Sequence, residues 1–207
     1  MPLQNRVDPF GELFADSARG TMFGNRGGRF HTDDRTLTQR RWVSRTWICC
    51  VLAFKNRHRD VWGRSYTELF FLDEVIALAA GHRPCFECRR RDAATFAGRG
   101  SRRASSARRR VPARWTRVLH RERVDGRAKR MHRRAVGDLP DGAVIAWEQG
   151  AFAVRGNSML QWSPAGYAAR QRRPGTGTVD VLMPPSILAV LVASYRPQWH
   201  PSAGDRA

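Results

Sequence analysis

From Thr46 onward the chain turns apolar: TWICCVLAF is β-branched, aromatic and hydrophobic, and the polar turn KNRHR follows it. DVWG and then YTELFF come next, so the pattern predicts three antiparallel strands over 46–54, 60–63 and 66–71. The period then changes. In LDEVIALAAG, Val75, Ile76, Leu78 and Ala79 fall at helical spacing, with Asp73 placed to cap the amino end and Gly81 to supply a left-handed exit. This helix delivers the chain to HRPCFEC, where Pro84 stiffens the approach. The following RRRDAATFAG predicts a second helix whose first turn carries the C-x-x-C. Upstream, residues 1–40 lack such periodicity, and GNRGGRFH at 24–31 is glycine-rich, which predicts a loop-dominated arm.

Residues 98–112, GRGSRRASSARRRVP, have no apolar period and predict a flexible linker. Beyond it, ARWTRVLHRERV sets Trp115, Val118 and Leu119 on one helical face, and DGRAKRMHRRAVGDLPDG predicts a basic, turn-rich connection. AVIAW, AFAVR and SMLQW, separated by EQG and GN, predict hairpin-linked strands. VDVLM follows the polar loop ARQRRPGTGT, and SILAVLVASY predicts a terminal helix with Ser186 at its cap. The fold class expected is α+β: a metal-stapled lobe over 1–97, the linker over 98–112, and a lobe of small sheet plus helix over 113–207. Such a second lobe points to no particular barrel.

Composition agrees with a folded chain, at 207 residues and 42% hydrophobic. No window approaches the roughly 18 uninterrupted apolar residues of a membrane span, and the first thirty residues lack a signal-peptide core. A cytoplasmic protein with no membrane partner is therefore expected. Charge changes the picture more. The formal net charge is +19, and residues 83–134 concentrate it with 19 Arg and Lys against 4 Asp and Glu. A positive block of this kind attracts phosphate backbones by counterion release, so nucleic acid, DNA before RNA, is the expected partner. Arg83, Arg89, Arg90, Arg91, Arg102, Arg103, Arg108, Arg109 and Arg110 are the expected phosphate contacts. Lys55 and Lys129 are the sole lysines, and an arginine excess of this kind also arises from a GC-rich genome.

The four cysteines, Cys49, Cys50, Cys85 and Cys88, are too few for a disulfide scaffold. A C-x-x-C on a tight turn offers two thiolates to one ion, and zinc completes four ligands tetrahedrally. Adjacent residues on a strand face opposite ways, so one of Cys49 and Cys50 is expected to reach the metal. Alternation hardly separates them; Cys50 is preferred. The fourth ligand is expected to be a histidine, His31 ahead of His58 and His82. A thioredoxin-like redox pair is disfavoured because this C-x-x-C follows a helix and a tight turn rather than a strand.

The run FFLDEVIALAAGHRPCFECRR, within residues 66–92, resembles the part of the Ada-type metal-binding domain that leads through A-A-G-[aromatic]-R-P to C-x-x-C. In that family zinc sits among four cysteines beside a DNA-binding surface, and one metal-bound thiolate removes a methyl group from a backbone phosphate. The resemblance implies Cys85 and Cys88 as zinc ligands and a basic surface at Arg83, Arg89, Arg90 and Arg91. This sequence departs from the family in its first pair, which is spaced C-x-x-x-C there and is the adjacent Cys49–Cys50 here. Exchanging one thiolate for a neutral histidine would also leave a less electron-rich sulfur. A structural zinc site in a DNA-binding protein is thus the leading expectation, ahead of a DNA-repair alkyl acceptor and of a purely structural metalloprotein.

Other groupings carry less. His120, Glu122 and His132 lack the spacing of a hydrolase or deaminase site. Asp73 and Glu74 read as helix-start residues. Trp115, Trp147, Phe152, Trp162, Tyr167 and Trp199 are expected to pack a core before they stack on bases.

Overall fold

The computed structural model describes residues 1–100 and 113–204 and is α+β, as expected. Its first sheet is assembled from very short strands: β1 (Arg6–Val7), β2 (Leu13–Phe14), β3 (Met22–Asn25), β4 (Ile48–Val51), β5 (Leu69–Phe71) and β6 (Arg83–Pro84). The strand order is β2-β1-β5-β3-β4-β6. The amino-terminal segment is therefore not a loop arm. It supplies three strands, and β3 lies inside the sheet, pairing antiparallel with both β4 and β5.

DVWG is not a strand. Trp62 takes a positive φ of 61° and is buried. Its backbone N–H donates to Glu68 Oε2 at 2.8 Å and its indole Nε1–H to the Glu68 carbonyl at 2.9 Å. With its one backbone donor committed to the Glu68 side chain, Trp62 has none left for a ladder.

Helix α1 (Glu74–Ala79) follows its sequence signals closely. Asp73 accepts the Ile76 N–H at 3.0 Å as the cap, and Gly81 leaves with φ 85°. All six helical residues are buried. Asp73 Oδ2 also accepts Tyr167 O–H and His200 N–H, each at 2.9 Å, so the cap ties the helix to two later parts of the chain. Burial nevertheless pushes this carboxyl up to about 6.

The second sheet contains β9 (His132–Ala135), β10 (Val144–Trp147), β11 (Gly150–Arg155), β12 (Ser158–Ser163), β13 (Gly166–Arg172) and β14 (Thr178–Val181), in the order β13-β12-β11-β10-β14-β9. Strand β9 and the two-stranded β7 (Val124–Asp125) and β8 (Ala128–Lys129) occupy the segment expected to be turn-rich. Strand β13 extends into the expected ARQRRPGTGT loop. Helix α2 (Arg90–Gly100) begins after the C-x-x-C rather than on it and runs into the expected linker, whose residues 101–112 lie outside the described ones. Helices α2 and α3 (Ala113–Arg123) both pack against α4 (Pro185–Val192). Ser186 is not the α4 cap. It lies inside the helix, and its N–H and Oγ–H donate to the Glu122 carboxylate at 2.9 and 2.8 Å.

One large core joins Val75, Ile76 and Leu78 of α1 to Phe96, Leu119 and the inner faces of β10 to β12 and α4. The helix expected inside the amino-terminal lobe is thus buried in the core of the carboxy-terminal sheet. Trp115, Trp147, Trp162 and Trp199 pack at the margin of that core. No helix among the described residues is long and apolar enough to cross a membrane.

Candidate metal centre

Strand alternation separates the adjacent cysteines. Cys49 turns into a small core with Val7, Met22, Leu69, Phe71 and Ala77, whereas Cys50 turns to the other face beside Phe23 and Cys85. β6 lies parallel to β4, opposing Arg83 to Ile48 and Pro84 to Cys49. The Cys85 N–H then donates to the Cys49 carbonyl at 2.9 Å, which places Cys85 against Cys50. A turn over 86–89 brings back Cys88, closed by the Arg89 N–H on the Cys85 carbonyl at 3.0 Å. The sulfurs of Cys50, Cys85 and Cys88 lie within 4.8 Å of one another.

This donor set suits a thiophilic ion. Sulfurs about 2.3 Å from a tetrahedral zinc stand about 3.8 Å apart, within the spread observed. The Glu87 N–H donates to Cys85 Sγ at 3.4 Å, an interaction that stabilises a thiolate without neutralising it. The thiols of Cys50 and Cys88, directed at Cys85, pull its pKa well down, and the same contacts push Cys50 up. Three sulfurs this close favour a single negative charge unless a cation joins them.

The remaining candidate ligands are elsewhere. His31 is buried, and its ring contacts Thr67 Oγ1 through Nδ1 at 2.7 Å and the Gly63 carbonyl through Nε2 at 3.0 Å. The carbonyl can only accept, so Nε2 donates to it. Thr67 Oγ1 in turn accepts from Phe30 N–H at 2.8 Å. With the ring stacked 5.0 Å from Trp62, His31 is a structural histidine and is not brought to the thiols. His82 is fully buried against Phe71 and Trp47, and His58 is exposed in the 52–60 loop.

The expected phosphate contacts also divide. Arg83 is buried, donates to the Pro84 carbonyl at 3.0 Å and lies over Phe86, with its charge beside Cys50 and Cys85. Arg89 is buried as well. Its Nη2 meets Glu74 Oε2 at 2.7 Å and Asp92 Oδ2 at 2.8 Å, and its Nη1 reaches Cys49 Sγ at 3.8 Å. Glu74 accepts two further hydrogen bonds, from Tyr195 O–H at 2.7 Å and Gln198 N–H at 2.9 Å. Arg89 is committed to an internal ion pair and is not free to meet a phosphate, and Arg83 is buried beside the thiols. Arg90 and Arg91 are exposed, while Arg102, Arg103, Arg108, Arg109 and Arg110 lie outside the described residues. Sequence reasoning missed the Glu74–Arg89 pair because neither residue carries a pattern that distinguishes it from its charged neighbours.

Cys49 gives a direct check on the face assignment. Burial pushes its thiol pKa well up, with the Glu74 charge adding to the effect, and its sulfur lies on the face away from Cys50, Cys85 and Cys88. Cys49→Ala is expected to keep full metal content by elemental analysis and to lose about 1 kcal/mol of stability in denaturant unfolding. A fall in metal content would reverse the assignment of faces. No family model, curated protein or solved structure matches this chain.

Proposed function

We propose that this is a nucleic-acid-binding protein, with DNA the favoured partner, whose fold is stapled by a zinc ion on Cys50, Cys85 and Cys88, its fourth tetrahedral position filled by a group other than His31, His58 or His82. The observation that carries the reading is the convergence of the three sulfurs at one end of the first sheet. Thiolate ligands favour zinc over magnesium or calcium, and the similarity of the knuckle to the Ada-type segment favours it further. A stapling role suits the burial of the site, since Cys50 and Cys85 are nearly inaccessible and only Cys88 is partly open. The ion would join β4, β6 and the start of α2, which are otherwise held by few ladder bonds.

The nucleic-acid part rests on exposed arginines. Arg117 and Arg121, one helical turn apart on α3, line a shallow depression with Arg45 and His120, and Arg90 and Arg91 project from the start of α2. None of these five arginines joins an ion pair among the described residues, so each can neutralise a phosphate without losing an internal partner. Five such contacts correspond to a slope of about −4 to −5 in log affinity against log salt. Affinity for a short duplex, followed by fluorescence anisotropy, is expected to fall several hundredfold, roughly, between 50 and 200 mM salt. An affinity indifferent to salt would remove this part of the reading and leave the metal site standing.

A further inference from the structure

A second feature lies at the other end of β4, where Trp47 immediately precedes the strand. A cavity of about 190 Å³ opens between the 10–12 loop, the 39–42 segment and the β7–β8 hairpin. Its charged lining is Arg26, Arg41, Arg123, Arg127 and Lys129 against Glu12 alone. Arg26, Trp47, Ala80 and Arg123 form the buried part, and Glu12 and Arg127 are exposed at its mouth.

The buried cations are held in place, but by neutral groups. Arg26 donates to the carbonyls of Gly11 at 2.8 Å and Arg41 at 3.3 Å. Arg123 donates to the carbonyls of Gly81 at 2.9 Å and Arg45 at 2.8 Å, with His120 Nδ1 at 2.9 Å, and Lys129 Nζ donates to the Ala79 carbonyl. The guanidinium carbons of Arg26 and Arg123 lie 4.1 and 3.7 Å from the centroid of the Trp47 ring, and each arginine Nε is buried without a hydrogen-bond partner. Among the described residues no carboxylate lies within ion-pair distance of Arg26, Arg123 or Lys129. Gly81 also fits this arrangement, because a Cβ there would stand 2.6 Å from Arg123 Cδ.

Buried charge is costly unless an opposite charge accompanies it, and like charges gathered in one crevice raise the cost further. Burial, reinforced by Arg26 and Arg123 and only partly opposed by Asp8, pushes Lys129 down to about 7, and burial, partly opposed by Glu12 and Asp8, pushes Arg26 down to about 9. Pre-positioned arginines beside an aromatic floor, open to solvent at one side, are the arrangement that recognises an oxyanion. The excess of positive charge suits a dianion better than a single carboxylate.

We propose that this cavity binds a phosphate group, contacted by Arg26, Arg123 and Lys129, with the moiety that bears it lying against the partly exposed Trp42. The site is distinct from the exposed arginines of α2 and α3 and shares no residue with the cysteine cluster. The phosphate can come from a small phosphorylated molecule or from the end of a nucleic-acid strand, and the chemistry of recognition is the same.

Isothermal titration of the full chain with inorganic phosphate, at ionic strength matched with chloride, tests this. One saturable site is expected, weakened at least about thirtyfold in Lys129→Met and in Arg123→Met. Arg127→Ala, at the exposed mouth, gives a milder weakening and serves if the buried variants do not fold. A wild-type chain with no saturable heat, or variants that bind phosphate as tightly as wild type, would overturn the proposal. Competition by 5′-phosphorylated against unphosphorylated oligonucleotides then identifies the source. Displacement of inorganic phosphate by the phosphorylated strand alone marks a strand end, and displacement by neither marks a small molecule.

Discussion

Cys85→Ser is expected to empty the metal site and to lower the unfolding midpoint by about 10 °C or more. Cys85 has the central position in the cluster: it receives the Glu87 N–H, its own N–H is bonded to the Cys49 carbonyl, and its carbonyl accepts from Arg89. Serine can keep the two backbone bonds but offers an alkoxide zinc does not select at neutral pH. Without the ion, Cys50 and Cys88 remain side by side, and the parallel pairing of β4 with β6 rests on two register positions. Loss of a structural metal belongs with the largest single-site effects, about 4 kcal/mol or more. For a chain of this size about 2–4 °C accompanies each kcal/mol, which gives the midpoint shift stated. The large core between α1, the second sheet and α4 contains no part of the cluster, so far-UV circular dichroism should keep most of its amplitude. Elemental analysis of the purified chain and thermal unfolding with and without a chelator supply the readouts. A wild-type protein that purifies without metal and ignores the chelator would end the stapling model. Because ligation requires thiolates, the same site should release its ion on acidification.

What the sequence made legible divides along physical lines. Cys85 and Cys88 could be paired from spacing alone, because only two residues of chain separate them. Cys50 could be preferred but not secured, since both faces of TWICCVLAF are apolar and the choice is made by β6, a two-residue strand with no periodicity to announce it. The same limit hid β1 and β2, each only two residues long. His31 was drawn to the metal because three cysteines left a ligand wanting. Its real partners, Thr67 and Gly63, lie more than thirty residues away, a separation that local pattern cannot bridge. Arginine misled in another way. Arg89, Arg90 and Arg91 are indistinguishable in a charge count, yet the first enters an internal ion pair while the other two face solvent. Net charge therefore overstated the surface available to a polyanion. Trp47 and Arg123, the heart of the cationic cavity, sat in segments read for a strand and for an amphipathic helix, and only the tertiary fold brings them together.

Arg89→Met should cost about 3–5 kcal/mol of stability while leaving nucleic-acid affinity almost unchanged, the reverse of what a phosphate-contacting arginine would do. In the folded protein Arg89 lies between Glu74 and Asp92, and Glu74 is wholly inaccessible. Removing the guanidinium strands the Glu74 carboxylate in the interior with only Tyr195 O–H and the Gln198 N–H as donors. Neutral donors do not replace a buried counter-charge, so the penalty is that of an uncompensated ion rather than of one lost hydrogen bond. Glu74→Gln in the Arg89→Met background removes that charge while an amide oxygen can still accept from Tyr195 and Gln198. The double variant should therefore recover part of the loss, with a coupling of about 1–3 kcal/mol in denaturant unfolding. Arg90→Ala with Arg91→Ala supplies the contrast: both side chains are exposed, so stability should move by less than about 0.5 kcal/mol each, whereas the salt slope for DNA should become shallower by about 2. If Arg89→Met left stability intact and weakened DNA binding, the internal ion pair would not be what holds this arginine. The knuckle would then present a different face to the nucleic acid. The expected pattern instead assigns Arg89 to the support behind the thiols, joining α1, α2 and Cys49 beneath the turn that carries Cys85 and Cys88.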